Sequence, residues 1–444
     1  MYEKIKEMLE NRKFLSIRQQ LCDMNMVDVA TLLEEFDEDD ALRVFRLLPK
    51  EEASEVFSYM PKDKQQSIVE AITDRELSGI IDELFLDDTV DLIEEMPANV
   101  VKRLLKNTSQ EKRKLINRFL QYEEDSAGSI MTIEFVDLKK EMTVPEAFAH
   151  IRKTGVDKET IYTCYATDAN RVLEGVVTVK DLLLAEEGQK VGDIMDTNII
   201  FAYTDDDKED VAKKFHRYDL MSLPVVDKER RLVGIITFDD AIDVIQEENT
   251  EDFEKMAAIT PSDEPYLKTR VIDHAKHRVL WLLLLMVSAT FTGAIITGFE
   301  NAFTVVPALV AFIPMLMDTG GNCGSQSSTL IIRGMALGQI RGRDVFKVWW
   351  HEVSVAVIIG AVLAAFNIAR IYLFNGHNIK LACTVSFSLY ATVIIAQSIG
   401  CLLPIGAKKL GLDPAVAAAP IITTIVDAFA LTVYFSIAKM VIGI

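Results

Sequence analysis

Three hydrophobic patterns follow one another along the chain. Up to residue 127, apolar positions recur at helical spacing and are broken by short polar turns, as in LLPKEEASEVFSYMPKDKQQSIVEAI and LFLDDTVDLIEEMPANVVKRLLKNTSQEKRKLINRFL. Pro49, Pro61 and Pro97 fall at expected helix starts, where the missing N–H is harmless. Short amphipathic helices in series predict stacked helical hairpins, a small superhelix over residues 1–127. Residues 128–243 mix β-branched alternating runs with amphipathic helices, and 244–268 read as an acidic linking helix. From 269 to 444 five apolar segments appear, at about 278–299, 303–332, 345–373, 382–407 and 414–442. Each is long enough for a transmembrane helix, which needs about 20 residues. The expected fold is therefore multidomain: an α-helical superhelix, an α/β middle region, and an all-α membrane domain of five spans.

The middle region repeats. Ser129-Ile130-Met131-Thr132 opens one copy and Asp193-Ile194-Met195-Asp196 the next, about 64 residues later. An amphipathic helix follows in each (PEAFAHIRK, EDVAKKFHRY), then two strands and a final helix (TIYTCYATDANRVLEGVVTVKDLLLA, MSLPVVDKERRLVGIITFDDAIDVI). This β-α-β-β-α order, with Gly175-Val-Val-Thr178-Val-Lys-Asp181 and Gly234-Ile-Ile-Thr237-Phe-Asp-Asp240, resembles a tandem pair of CBS domains at 128–187 and 191–243. The resemblance implies a nucleotide such as ATP, its ribose held by Thr178, Asp181 and Thr237. The local alternative is that these residues only cap the final helix of each copy.

Charge divides the chain where hydropathy does. Only 7 of its 67 acids but 13 of its 47 bases lie after Leu267, so the net charge is −26 before that point and +6 after it. An acidic body excludes nucleic acid, which needs Lys and Arg clusters, and suits divalent cations. Five scattered cysteines without a CxxC pair imply no zinc site or disulfide framework, and the charged MYEKIKEMLENRK start is not a signal peptide. Ten bases flank the apolar segments on one side (Lys268, Arg270, Lys276, Arg278, Arg333, Arg341, Arg343, Lys347, Lys408, Lys409) against Arg370, Lys380 and Lys439 on the other. Positive charge stays inside, so a cell-membrane protein is expected with its N-terminal domains cytosolic and its C-terminus outside.

Two features of the apolar region carry chemistry. Asp427 lies mid-way along the last segment, and an acid at a membrane helix centre costs about 2.5–3.5 kcal/mol on insertion scales, so it usually serves an ion path. The second segment holds Thr319-Gly320-Gly321-Asn322-Cys323-Gly324-Ser325-Gln326-Ser327-Ser328, where three glycines predict a broken helix lining a pore. Small-residue helix packing is the plainer alternative.

GGNCGSQSSTLIIRG (320–334) and GLDPAVAAAPIITTIVD (411–427), with the CBS-like pair, the acidic linker and the helical N-terminal domain, resemble the MgtE family of magnesium channels and transporters over essentially the whole chain. The resemblance implies Mg2+ uptake by a homodimer in the bilayer, with Asp427 as principal ion site and Gly321, Asn322 and Thr423 around the hydrated ion. It also implies closure by cytosolic Mg2+. The regulatory ligands would be Asp87 and Asp91 in the N-terminal domain, Asp207, Glu209, Asp219, Asp240 and Asp243 in the second CBS domain, Glu248, Glu251 and Asp252 on the linker, and Asp413 before the fifth span.

Other readings fare less well. An intramembrane metalloprotease needs HExxH, and His351-Glu352-Val353-Ser354-Val355 has only its first half. With no pump signature, no enzyme is expected. A mid-membrane Asp opposes an anion path. Co2+, Mn2+ or Ni2+ would fit the same architecture, although oxygen ligands without clustered Cys or His favour Mg2+.

Overall fold

The computed structural model describes residues 1–262, 266–267, 269–299, 306–374, 378–417 and 419–442. They form two compact units, Met1–Ile245 and Gln246–Ile444.

The first unit begins with short helices from α1 (Tyr2–Glu10) to α10 (Gln110–Phe119). Each buries one apolar stripe, such as Leu77, Ile80 and Ile81 of α7 (Asp74–Glu83). Pro49, Pro61 and Pro97 are N-caps of α5 (Lys50–Ser58), α6 (Lys62–Ala71) and α9 (Ala98–Asn107), while Thr73 and Glu76 form a reciprocal capping box on α7. Helix α5 packs on α3 (Met26–Glu34) and on α7, and α7 packs on α9. Alternate helices thus stack in series, as the periodicity predicts.

Two α/β copies follow. The first runs β1 (Asp137–Leu138), α11 (Val144–Thr154), β2 (Thr163–Thr167), β3 (Leu173–Thr178), α12 (Val179–Leu184). The second runs α13 (Val191–Ile194), β4 (Ala202–Tyr203), α14 (Lys208–Tyr218), β5 (Ser222–Val226), β6 (Leu232–Thr237), α15 (Phe238–Met256). In each sheet the short strand pairs parallel with the middle one, which pairs antiparallel with the third. The two hairpin turns clasp each other: Leu173 N donates to Arg230 O at 3.0 Å and Leu232 N to Arg171 O at 2.8 Å. The buried Tyr165 and Ser222 hydroxyls meet at 2.7 Å between the copies.

The linking helix differs from expectation. It is continuous with the last helix of the second copy, so α15 starts at Phe238, and it stops at Met256 rather than near 268. Ala258 adopts a left-handed φ of 54°, and Pro261 disfavours helix at the residue before it.

The second unit comprises α16 (Val271–Gly298), α17 (Ile313–Ala336), α18 (Val345–Phe374), α19 (Ile379–Lys409) and α20 (Ala419–Ile442). Among the described residues, four helical stretches are long and apolar enough to cross a membrane, corresponding to α16, α18, α19 and α20. Helix α17 spans 24 residues but is diluted by its Gly, Ser, Asn and Gln positions.

The expected break in α17 does not occur; the helix runs through all three glycines. Each glycine costs roughly 1 kcal/mol against Ala in a helix. Close approach offsets that cost. A Cβ on Gly320 would lie 2.8 Å from Thr392 Cγ2, one on Gly324 2.8 Å from Ile422 Cγ2, and one on Gly400 of α19 only 2.2 Å from the Gly324 carbonyl oxygen. The small-residue alternative is what folds.

Candidate functional site

Carboxylates from three parts of the first unit converge. Helix α8 (Leu86–Glu95) brings Asp87 and Asp88, the first α/β copy brings Glu134 and Glu159, and α15 brings Asp239 and Asp240. Glu159 N donates to Glu134 O at 2.9 Å, which holds these two together. Burial, then Asp240, raises Asp88 to about 6, with Asp239 and Glu134 adding and Lys112 opposing. Burial, then Asp240, Asp239 and Asp88, raises Glu159 to about 7. Asp87 is pushed well above the carboxylate range by burial, then by Asp88 and Asp240. Lys112 faces the cluster as a cation, and its ammonium also donates to the Ile81 and Leu84 carbonyls that end α7. Such a surplus of desolvated oxygen charge attracts cations, but among the described residues no three of these acids stand close enough to hold one metal ion as they are placed in the single chain.

Of the expected regulatory residues, Asp87 and Asp240 belong to this cluster, whereas Asp88, Glu134, Glu159 and Asp239 were not anticipated. Asp91 lies one turn along α8 and is exposed. Asp243 lies one turn beyond Asp239, and its carboxyl is raised by burial and then by Asp239. Asp207 is the N-cap of α14, its Oδ1 accepting from Glu209 N at 2.8 Å, and Glu209 pairs with Lys213 at 2.8 Å. Asp219 is the left-handed C-cap of the same helix. Helical rise puts Asp207 and Asp219 roughly 18 Å apart, so within one chain they do not ligate one ion.

In the second unit, Glu248, Glu251, Asp252 and Lys255 share one part-buried stripe of α15. Lys255 Nζ lies 2.6 Å from Glu251 Oε1 and 2.7 Å from Asp413 Oδ2. The other Asp413 oxygen accepts from Ala415 N at 2.8 Å. Burial disfavours the ammonium, yet the bonds to Asp413 and Glu251 raise its pKa overall. Two expected metal ligands therefore hold an internal cation, which joins α15 to the segment entering α20.

The CBS motif residues are engaged in capping. Thr178 and Asp181 form a reciprocal box at the start of α12, and the Thr237 hydroxyl and N–H both donate to Asp240 at the start of α15.

In the membrane unit, Thr423 and Asp427 lie one turn apart on α20, both part-buried. Thr423 is on the contact with α17: a Cβ on Gly321 would fall 2.9 Å from Thr423 Cγ2. Thr423 Oγ1 donates to Pro420 O at 2.9 Å. Because α17 is unbroken, the Gly321 carbonyl lies in a continuous helix rather than in an unwound loop. Asp318, Asn322 and Gln326 lie along the other face of α17 at a spacing of four and are exposed. Helix α17 thus has a flat face packed on α19 and α20 and an open polar face.

Family models match over most of the chain. Residues 313–437 match MgtE, divalent cation transporter; 24–125 match the MgtE intracellular N domain; 127–188 and 191–247 match the CBS domain. The chain is 35% identical over 442 residues to the magnesium transporter MgtE of Thermus thermophilus, covering 99% of this chain and 98% of the relative. It is 31% identical over 431 residues to the magnesium transporter MgtE of Bacillus subtilis, covering 97% and 95%. Among solved structures it is similar to the cytosolic domain of the Mg2+ channel MgtE in complex with ATP, with a TM-score of 0.52, 35% identity, and coverage of 55% of this chain and 100% of that one. The soluble part of a magnesium transporter gives a TM-score of 0.53 at 28% identity, covering 56% and 97%. With the matches running nearly end to end, the chain belongs to the MgtE family of divalent cation transporters.

Proposed function

We propose that the chain carries Mg2+ across the cell membrane as a homodimer and closes when cytosolic Mg2+ rises. The observation that carries this reading is a part-buried Asp427 mid-way along α20 in a membrane unit whose α17 also leaves a row of polar side chains uncovered. A membrane helix that leaves Asp318, Asn322 and Gln326 uncovered needs a second copy or a water-filled path against that face. Five spans per chain, α17 included, give the N-terminus inside and the C-terminus outside.

Mg2+ dehydrates reluctantly and usually keeps several waters. Asp427 supplies the negative charge that draws in the hydrated ion. Asn322 and Thr423 contact its water shell, and Gly321 lets α17 approach α20 closely enough to narrow the path. On the cytosolic side, Mg2+ bound among Asp87, Asp88, Glu134, Glu159, Asp239 and Asp240 relieves their repulsion. The remaining ligands, Asp91, Asp207, Glu209, Asp219, Asp243, Glu248 and Asp252, join as further ions bind. Glu251 and Asp413 act with Lys255. Differential binding of cations to the closed arrangement is what shifts the gate. ATP at Thr178, Asp181 and Thr237 is a second ligand of the regulatory pair, supported by the ATP named for the solved relative.

The test is influx into proteoliposomes measured for Mg2+, Co2+, Mn2+ and Ni2+, with Mg2+ varied on the cytosolic face. Mg2+ influx that declines as cytosolic Mg2+ increases is expected. Preference for Co2+ over Mg2+, or influx indifferent to cytosolic Mg2+, would overturn the substrate or the gate respectively.

A further inference from the structure

Among the described residues of the membrane unit, one carboxylate is buried outright. Glu352 lies seven residues into α18, roughly 10 Å along it, and is 9% exposed. Its Oε2 accepts from Ser327 Oγ of α17 at 2.7 Å, and the same hydroxyl lies 3.2 Å from the main-chain oxygen of Gln397 on α19. One serine therefore joins three helices. Elsewhere on α17, the side-chain hydrogen bond to another helix among the described residues is a contact of Arg370 with the Met315 sulfur.

Apolar anchors hold α17 towards its two ends, Leu316 at one and Ile331 and Met335 at the other, and between them the Ser327 bond is the polar contact that fixes its rotation. Gly320, Gly321 and Gly324 present a smooth surface to Thr392, Thr423, Ile422 and Val426, and these contacts are dispersive. Small-residue faces let helices come close but do not by themselves lock their azimuth. Ser327 is one turn beyond Gly324 and next to Gln326, so holding Ser327 fixes the direction in which Asn322 and Gln326 point. With side-chain tips about 5–6 Å from the helix axis, a rotation of roughly 20° displaces them by about 2 Å. That is enough to change which hydrated ion fits.

We propose that Glu352 is a positioning residue for ion selectivity: through Ser327 it sets the rotation of α17 and so places Asn322 and Gln326 relative to the ion path. The inference rests on the reading of α17 and Asp427 as pore elements. It assigns a task to an acid outside the expected ion sites.

The test uses the full-length protein in proteoliposomes and compares Glu352→Gln, Glu352→Leu, Ser327→Ala and the double variant Glu352→Leu/Ser327→Ala. The readout is the ratio of Mg2+ to Ca2+ flux, with thermal unfolding in detergent as a check on folding. Glu352→Leu and Ser327→Ala should each lower the ratio by about tenfold, the scale of one lost hydrogen bond to a carboxylate. The double variant should be no worse than either single one, because both remove the same bond. Glu352→Gln keeps an acceptor oxygen and should restore the ratio to within about twofold of the parent. A ratio unchanged in folded Glu352→Leu, additive losses, or a Glu352→Gln variant as impaired as Glu352→Leu would each overturn the proposal. If Glu352→Leu does not fold, Ser327→Ala, which removes a single oxygen, decides by its own ratio. Asp427→Asn measured alongside separates the two levels. Flux lost there with an unchanged ratio in Ser327→Ala overturns the positioning role alone, whereas flux retained in Asp427→Asn overturns the pore reading on which it rests.

Discussion

Lys255 occupies a position where a divalent cation was expected, and replacing it with Met should make closure of the linking helix depend on Mg2+. Its ammonium lies 2.6 Å from Glu251 and 2.7 Å from Asp413, so those carboxylates are no more than about 5.3 Å apart. Side-chain exposures of 24%, 39% and 33% for Lys255, Glu251 and Asp413 place the site between surface and interior screening. In Lys255→Met the two acids face each other directly. Coulomb's law at effective dielectrics between that of water and about 20 gives a repulsion of about 1–3 kcal/mol. A free energy of that size changes the equilibrium holding α15 beside the entry to α20 by roughly 5–150-fold. Mg2+ can restore what Lys255 supplied, since two carboxylates and water suit it. Amide hydrogen exchange on the full-length protein, followed over residues 247–256 and 410–417, reads the effect. The parent should be protected with or without Mg2+. The variant should exchange at least about fivefold faster in EDTA and regain protection in Mg2+. Exchange unchanged in EDTA, or accelerated exchange that Mg2+ does not slow, would refute the reasoning.

Further outcomes follow from the same contacts. Asp88 and Glu159 have folded pKa values raised above their unfolded ones, to about 6 and about 7, so the folded state binds more protons across that range. Without divalent cations the melting temperature of the first unit should therefore fall as pH rises from 5 to 8, and apparent Mg2+ affinity should weaken as pH drops through 7 towards 6; a melting temperature independent of pH in EDTA would count against a desolvated carboxylate cluster. Gly400→Ala should destabilise the membrane unit by about 1–3 kcal/mol or more, because its Cβ would meet the Gly324 carbonyl, a backbone atom that cannot swing aside. Gly406→Ala, with open space around it, should be tolerated in the same detergent melt. Thr237→Val removes a hydroxyl bonded to Asp240 and should cost about 1 kcal/mol in the melt. If the ribose reading is right, it should also weaken ATP binding by calorimetry; unchanged ATP affinity would confine Thr237 to capping.

The large divisions were legible because each rests on a local pattern. Stacked short helices announce themselves through apolar stripes and Pro at their N-caps, and the α/β copies through repeated β-branched runs. Asp427 stood out as an acid in an apolar stretch. The glycine run misled, because glycine weakens a helix locally while α17 survives through contacts with Thr392, Ile422 and Gly400, partners distant in sequence. The acidic cluster was half visible: Asp87 and Asp240 were expected, but Glu134 and Glu159 belong to segments without a distinguishing pattern and are brought in by the fold. The pairing of Lys255 with Asp413 carries no sequence signal, since the two are 158 residues apart. Glu352 looked like half of a failed zinc motif until Ser327 was found beside it.

The central claim is that Asp427 serves the ion path. Asp427→Asn keeps the size and much of the hydrogen-bonding capacity of the side chain while removing its charge, so it tests charge rather than packing. Mg2+ flux into proteoliposomes should fall to background in this variant while its detergent melt matches the parent. Parent-level Mg2+ flux in a folded Asp427→Asn protein would contradict the account and reduce the residue to a packing role.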